Sequence, residues 1–167
     1  MEIQPAIIFI MGVSGSGKTT VGLRLSAISR IPFFDADDYH PEANKLKMKA
    51  GQPLNDDDRQ GWLLSLNALA RQKSLEKGAI IACSALKEKY RETLAREVSL
   101  PVYWVLLKGS FELIKSRISK RKDHFMPSSL LQSQFDTLED PTDGIVIDVA
   151  QDPGAIARQI VERLRSS

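Results

Sequence analysis

The chain has 167 residues, of which 43% are hydrophobic and 26% charged, and its formal net charge is +2. These values are ordinary for a globular protein and predict one domain, spanning 1–167, that is large enough to bury a core. The small net charge gives no reason to expect a nucleic acid or a membrane as partner. A single cysteine excludes an internal disulfide, and we see neither a signal peptide nor a membrane-length apolar run. We therefore expect a cytoplasmic protein.

Short apolar runs alternate with amphipathic segments along the chain. The apolar runs predict strands at residues 6–11, 31–34, 79–83, 102–107 and 144–149. Apolar residues at helical spacing predict a helix after the first strand, one that begins near residues 55–58, and others at 87–97, 110–120, 128–137 and the C-terminus. Alternating strands and helices predict an α/β fold of three layers, with a five-stranded parallel sheet flanked by helices. Ligands of such sheets bind beyond the carboxyl ends of the strands.

Residues 12–19 fit the spacing G-x-x-x-x-G-K-[ST] and directly follow the first predicted strand. In such a loop glycines permit backbone conformations in which successive amides turn toward an anion. Lys18 supplies positive charge for the β- and γ-phosphates, and the Thr19 hydroxyl is placed to bind Mg²⁺. An ordinary Gly/Ser turn is the alternative, which the strand and helix on either side disfavour. We predict that ATP with Mg²⁺ is bound by Gly12, Val13, Ser14, Gly15, Ser16, Gly17, Lys18, Thr19 and Thr20.

An acidic cluster follows the second predicted strand, at the same edge of the sheet as this loop. If strand geometry continues to Asp37, then Asp35 and Asp37 point to one side and Asp38 to the other. We expect Asp35 to bind Mg²⁺ and Asp37 to orient or deprotonate a hydroxyl that attacks the γ-phosphorus. A solvated acidic turn is the alternative, and we prefer it for Asp38. A zinc site with the neighbouring His40 is disfavoured, because the other histidine, His124, lies far along the chain.

With the loop and the acidic cluster together, the chain resembles the gluconate kinase (gluconokinase) family of P-loop small-molecule kinases over nearly its whole length. The segments that carry the resemblance read DADDYHP at 35–41, GQPLNDDDR at 51–59, ACSALK at 82–87, YR at 90–91, KDHFM at 122–126 and QFDTLE at 134–139. Gly61 departs from the family, where proline is usual, but removes no chemical group. The resemblance implies ATP-dependent phosphorylation of the 6-hydroxyl of D-gluconate by a homodimer. A kinase of another small acceptor, such as shikimate or a nucleoside monophosphate, remains the alternative.

Gluconate carries one carboxylate and several hydroxyls, so its site needs a cation and hydrogen-bonding groups. Arg59 begins a predicted helix in the region where related kinases hold the acceptor, and we expect it to bind substrate. Ser84 follows the third predicted strand, and His40 is a candidate for a hydrogen bond to a hydroxyl. Lys87 and Arg91 either bind the acceptor carboxylate or pair with surface acids.

Residues 115–122 read KSRISKRK, with five cations among eight residues. The cluster is short and lacks aromatic residues that would stack on bases, which disfavours nucleic acid binding. By resemblance it leads into a short mobile lid at about 122–130, although a solvated helix face is the alternative. In the lid interpretation Arg117 approaches the nucleotide, Arg121 neutralises charge on the transferring phosphoryl group, and His124 contacts substrate. The turn at 151–153 is a candidate wall of the adenine pocket. A GTPase switch is disfavoured because the N-K-x-D motif is absent.

Overall fold

Across residues 2–120 and 127–166, which this computed structural model describes, the chain forms five strands and seven α-helices. The strands are β1 (Ala6–Met11), β2 (Phe33–Asp35), β3 (Gly78–Ala82), β4 (Val102–Lys108) and β5 (Ile145–Asp148). They form one parallel sheet in the order β2-β3-β1-β4-β5. Each predicted strand is confirmed, with bounds that differ by at most two residues.

The helices lie between the strands, as the alternating pattern predicts. They are α1 (Lys18–Ser29), α2 (Glu42–Lys49), α3 (Asp56–Lys73), α4 (Glu88–Ala95), α5 (Phe111–Ser119), α6 (Ser128–Thr137) and α7 (Pro153–Arg165). A short 3₁₀ turn (Ala36–Tyr39) follows β2. The pattern missed α2 because this helix has no apolar stripe: Asn44 is its buried residue, and Leu46 is exposed.

Two hydrophobic layers enclose the sheet, because successive side chains of a strand point to opposite faces. From β1, Ile8 and Ile10 pack with residues of α1 and α7, whereas Ile7 and Phe9 pack with residues of α3 and α4. The predicted three-layer α/β architecture is therefore confirmed. Among the described residues, no helix is both long enough and apolar enough to cross a bilayer.

Because all strands of the sheet are parallel, their carboxyl ends share one edge. The glycine-rich loop leaves the central strand β1 at this edge, and the acidic turn leaves β2. The segment with Ser84 and Lys87 follows β3, which lies between them in the sheet. The fold thus brings the loop, the acidic turn and this segment to one edge.

Candidate active site

The phosphate loop keeps its glycines for two different physical reasons. Gly17 caps α1 with φ +96°, in the left-handed region that favours glycine, although a Cβ there would meet no other atom within 4 Å. At Gly12 space is the second constraint, because a Cβ would lie 2.9 Å from the Leu107 carbonyl oxygen and 2.9 Å from Ser16 Oγ. The loop therefore packs against the end of β4 while its turn into α1 remains open.

Two polar side chains of the loop suggest that it binds an anion. Lys18 Nζ donates to the carbonyl oxygens of Gly12 and Val13, at 3.0 and 2.9 Å, so the lysine curls over its own loop. Ser16 is 1% exposed, and its hydroxyl has no hydrogen-bond partner among the described residues. An orphaned buried hydroxyl is rare in folded proteins. These groups fit a bound polyphosphate, which would supply acceptors for both.

Thr19 and Asp35 bring two oxygen ligands together from different elements. Thr19 lies in the first turn of α1 and donates its hydroxyl to Asp35 Oδ2 at 3.0 Å. Hydroxyl and carboxylate oxygens suit Mg²⁺, which in kinases binds one or two carboxylates together with substrate phosphates and water. Among the described residues no group of three or more His, Cys, Asp or Glu side chains is placed to bind a metal. The donor set thus fits an ion that arrives with a nucleotide.

The acidic turn differs from the extended geometry that the pattern suggested. Strand geometry ends at Asp35, whose Oδ1 accepts the Asp37 backbone N–H at 3.0 Å and caps the 3₁₀ turn. The condition under which Asp35 and Asp37 would point to one side, with Asp38 on the other, is therefore not met, because strand geometry does not continue to Asp37. Asp37 and Asp38 are exposed, whereas Asp35 is half-buried. The same carboxylate of Asp35 thus bonds to Thr19 and sets the backbone position of Asp37.

Arg59 lies in the first turn of α3, and its side chain contacts α4. The predicted helix start is confirmed, since Asn55 and Asp58 form a reciprocal capping box at the first turn of α3. From the next position Arg59 Nη1 donates to the Leu54 carbonyl at 2.7 Å and to the Tyr90 hydroxyl at 3.2 Å. Its guanidinium carbon lies 5.3 Å from the centre of the Tyr90 ring, within the range of a cation–π contact.

Asp56 contacts Lys87, Lys89 and Tyr90 at the start of α4, and Tyr90 in turn bonds to Arg59. Its carboxylate accepts hydrogen bonds from Lys89 and Tyr90 and lies 3.5 Å from Lys87 Nζ. The hydrogen bonds from Lys89 and Tyr90 hold the pKa of Asp56 well below its usual range. Burial, reinforced by the bond to Asp56, raises the pKa of the Tyr90 hydroxyl. Lys87, in the segment after β3, thus pairs with an acid, which is one of the two roles expected for it.

Arg91 is placed differently from both roles expected for it. It is 5% exposed, and its guanidinium donates to the backbone carbonyls of Ala85 and Leu86, at 3.1 and 3.3 Å, and of Glu139. Burial lowers the pKa of Arg91. We correct the expectation accordingly: these contacts support a structural role, in which Arg91 orders the segment that carries Ser84 and Lys87.

His40 is a buried, neutral hydrogen-bonding group. It is 7% exposed and stacks on Trp62, with ring centres 4.1 Å apart. Its Nδ1 lies 3.2 Å from Asn44 Nδ2, which must donate, so the ring proton of neutral His40 is on Nε2. Burial, aided by the nearby charges of Arg59 and Lys45, lowers the pKa of His40 to about 4. His40 therefore enters any reaction near neutral pH as a hydrogen-bond donor and not as an acid.

Comparisons with known proteins agree with this geometry. The sequence profile of the shikimate kinase family matches residues 14–165, which places the chain in that family of small-molecule kinases. A probable gluconokinase of Xenopus tropicalis is 46% identical, with 92% of this chain and 90% of the relative aligned. The thermoresistant gluconokinase of Escherichia coli K12 is 41% identical, with 95% of this chain and 93% of the relative aligned. The chain belongs to the gluconokinase family.

A solved gluconokinase structure, from Sinorhizobium meliloti 1021, superimposes on this chain with a TM-score of 0.88 at 39% identity. The match covers 97% of this chain and 93% of the other. The P-loop kinase fold predicted for this gluconokinase family member is therefore confirmed.

Arg117 of α5, which the sequence predicts to approach the nucleotide, donates to the Val149 carbonyl oxygen at 2.5 Å. This contact brings the arginine next to the turn at 151–153, which the sequence suggests as a wall of the adenine pocket. Two expected site residues of this gluconokinase family member, Arg121 and His124, lie outside the described residues, as does most of the expected lid at 122–130. Residues 128–130 are the first turn of α6.

Sequence reasoning named two residues of this site only as part of the family resemblance and gave them no role. Tyr90 bridges Arg59 and Asp56, and Gln134 of α6 bonds to the phosphate loop. Neither partner lies near in sequence, and a hydroxyl or an amide carries no spacing signal of its own. Family resemblance, which included Tyr90 and the QFDTLE segment, was the available signal.

Proposed function

We propose that this protein transfers the γ-phosphoryl group of ATP to the 6-hydroxyl of D-gluconate, giving 6-phospho-D-gluconate and ADP. The observation that carries the proposal is the likeness to gluconokinases along nearly the whole chain, which includes both sides of the site. We also propose that the protein, as a metabolic kinase of this type, works in the cytoplasm as a homodimer of single-domain subunits.

The donor side of the site is built by the phosphate loop and the start of α1. The loop amides and Lys18 would bind the phosphates, and the positive end of the α1 dipole adds to their attraction. Thr19 and Asp35 would hold Mg²⁺, which supplies charge neutralisation at the phosphate oxygens when bound. Arg117, which bonds to Val149 just after β5, would contact the nucleotide. Each of these groups acts by position and charge, as phosphoryl transfer requires.

The acceptor side is built by the acidic turn, the start of α3 and the segment after β3. Arg59 offers positive charge for the gluconate carboxylate, and Lys87, although paired with Asp56 in this structure, offers a second positive charge nearby in the chain's segment after β3. Ser84 and the Nε2–H of His40 offer hydrogen bonds to hydroxyls. Asp37 would accept the proton of the 6-hydroxyl as its oxygen attacks the γ-phosphorus and the bond to the β–γ bridging oxygen breaks. A positive charge for the carboxylate and a proton acceptor for the terminal hydroxyl are the two groups that a linear hydroxy acid needs as acceptor.

A coupled ADP-release assay tests the proposal. Purified protein would receive ATP and Mg²⁺ with gluconate, other aldonates, shikimate or nucleoside monophosphates, and Lys18→Ala would serve as the control without donor-site charge. We expect rapid ADP release with gluconate, little release without an acceptor, and a phosphate on the terminal hydroxyl by ³¹P NMR. A faster reaction with shikimate or a nucleotide, or equal hydrolysis without any acceptor, would contradict the proposal.

A further inference from the structure

Helix α6 reaches across the site to the phosphate loop through one side chain. Gln134 Oε1 accepts the backbone N–H of Ser14 at 2.7 Å, and Gln134 Nε2 donates to the Ser14 hydroxyl at 3.4 Å. The two residues are 120 positions apart in the chain. Ser14 lies within the glycine-rich loop, so an amide outside the phosphate-binding motif is bonded to the motif's backbone.

The position of Gln134 is set by packing on both sides of it. Leu131, one turn earlier in α6, is 1% exposed in the hydrophobic core. Phe135 packs edge-on against Phe111 of α5, with ring centres 5.6 Å apart. These two anchors fix the backbone of α6 beside Gln134, so only the rotamers of its own side chain are ordered when the hydrogen bond forms.

The end of α6 is tied to the acceptor side as well. The Glu139 backbone N–H donates to the Leu86 carbonyl at 2.7 Å, and its side chain accepts the Glu88 backbone N–H at 2.7 Å. Leu86 and Glu88 flank Lys87. Helix α6 and the residue pair after it thus contact the phosphate loop through Gln134 and the acceptor segment through Glu139.

We propose that Gln134 is a positioning residue, which holds the phosphate loop in its nucleotide-binding shape. A loop with glycines at positions 12, 15 and 17 has much backbone freedom to lose when it closes on phosphates. By bonding the Ser14 N–H before nucleotide arrives, Gln134 lowers that ordering cost and aligns the amides that follow. The inference rests on the proposed function only for its rate measurement, since nucleotide binding alone reports on the loop.

A matched pair of variants on α6 tests the role of Gln134. Gln134→Met keeps the length of the side chain and its methylene stem but replaces the amide and so removes both hydrogen bonds. Gln132→Met makes the same change at an exposed position, where the glutamine bonds to Asp136 of its own helix. We expect Gln134→Met to weaken ADP binding, measured by calorimetry, by about tenfold, the effect of one or two neutral hydrogen bonds. The kcat/KM for ATP should fall at least as much, and the KM for gluconate should change less than twofold.

Amide hydrogen exchange of the nucleotide-free protein gives a second readout that needs no activity. The Ser14 amide should be protected in the parent protein and in Gln132→Met, and exchange faster in Gln134→Met. Unchanged ADP affinity in Gln134→Met would overturn the proposal. Tighter ADP binding would also overturn it, because Gln134 would then be a competitor that phosphate displaces. Equal losses for ATP and gluconate with a lower melting temperature would reduce Gln134 to a general packing role. If the parent protein does not phosphorylate gluconate, the proposed function fails while the ADP comparison still decides the role of Gln134.

Discussion

Lowering the pH from 7 to 5 should destabilise the fold through His40. The residue is 7% exposed, stacked on Trp62 and bonded to Asn44, and its burial lowers its pKa from 6.5 to about 4. Because the pKa is lower in the folded state, the unfolded chain binds more protons between these two values. The free energy of unfolding therefore falls as the pH falls from about 6.5 toward 4. Above pH 6.5 His40 is neutral in both states and causes no loss of stability.

The size of the effect follows from the two pKa values. For one group that titrates at 6.5 in the unfolded chain and at about 4 in the fold, the loss between pH 7 and pH 5 is about 2 kcal/mol. Two other described groups with shifted pKa values, Asp56 and Asp58, titrate below their ordinary value of 3.8 and so outside this range. The pH interval from 5 to 7 thus lies above the titration of both carboxylates.

Urea denaturation at pH 5, 6 and 7, followed by tryptophan fluorescence, measures this loss. The chain has two histidines, so His40→Gln and His124→Gln form a matched pair. We expect His40→Gln to lower stability at pH 7 but to flatten its pH dependence, and the slope of His124→Gln measures how much the other histidine contributes. If the parent protein and His40→Gln lose the same free energy between pH 7 and pH 5, the buried neutral histidine is not the cause and the reasoning fails.

Three further substitutions test the site and the fold. Asp37→Asn should lower kcat by on the order of 10²-fold or more with little change in ATP affinity, and an unaltered kcat would exclude Asp37 as proton acceptor. Arg59→Ala should raise the KM for gluconate by roughly tenfold or more without changing the KM for ATP, whereas the control Arg71→Ala on the same helix should change neither. Gly78→Ala should lower the free energy of unfolding by more than about 2 kcal/mol, because φ is +93° and the new Cβ would lie 2.0 Å from the Ala6 carbonyl oxygen. An unchanged urea midpoint for this variant would contradict the described backbone.

The parts of the site that sequence reasoning located are those whose chemistry lies within one short segment. The phosphate loop is eight consecutive residues, and its function follows from their order. The start of α3 is similarly local, because Asn55 and Asp58 cap the helix from three positions apart. The geometry of the acidic turn was harder to predict. Strand β2 ends where the Asp35 side chain accepts the backbone N–H of Asp37. A period-2 pattern cannot show where such a bond ends a strand.

The contacts that shape the acceptor side could not be predicted in this way. Arg59 and Tyr90 are 31 positions apart, and His40 meets Trp62 only because α3 packs over the 3₁₀ turn. Arg91 is a case in which the sequence pattern suggested a position that the structure does not show. Its spacing from Lys87 suggests a shared surface, yet its guanidinium is buried against backbone carbonyls.

The amino-acid sequence by itself determined the order of strands and helices, the three-layer architecture and the phosphate loop, because hydrophobic periodicity and a contiguous motif are local properties. It also carried the family, through segments long enough to be specific. The tertiary structure alone decided which polar groups meet: Thr19 with Asp35, Tyr90 with Asp56, and Ser14 with Gln134. Such bonds act over about 3 Å, and only the packing of distant elements brings their partners within that range.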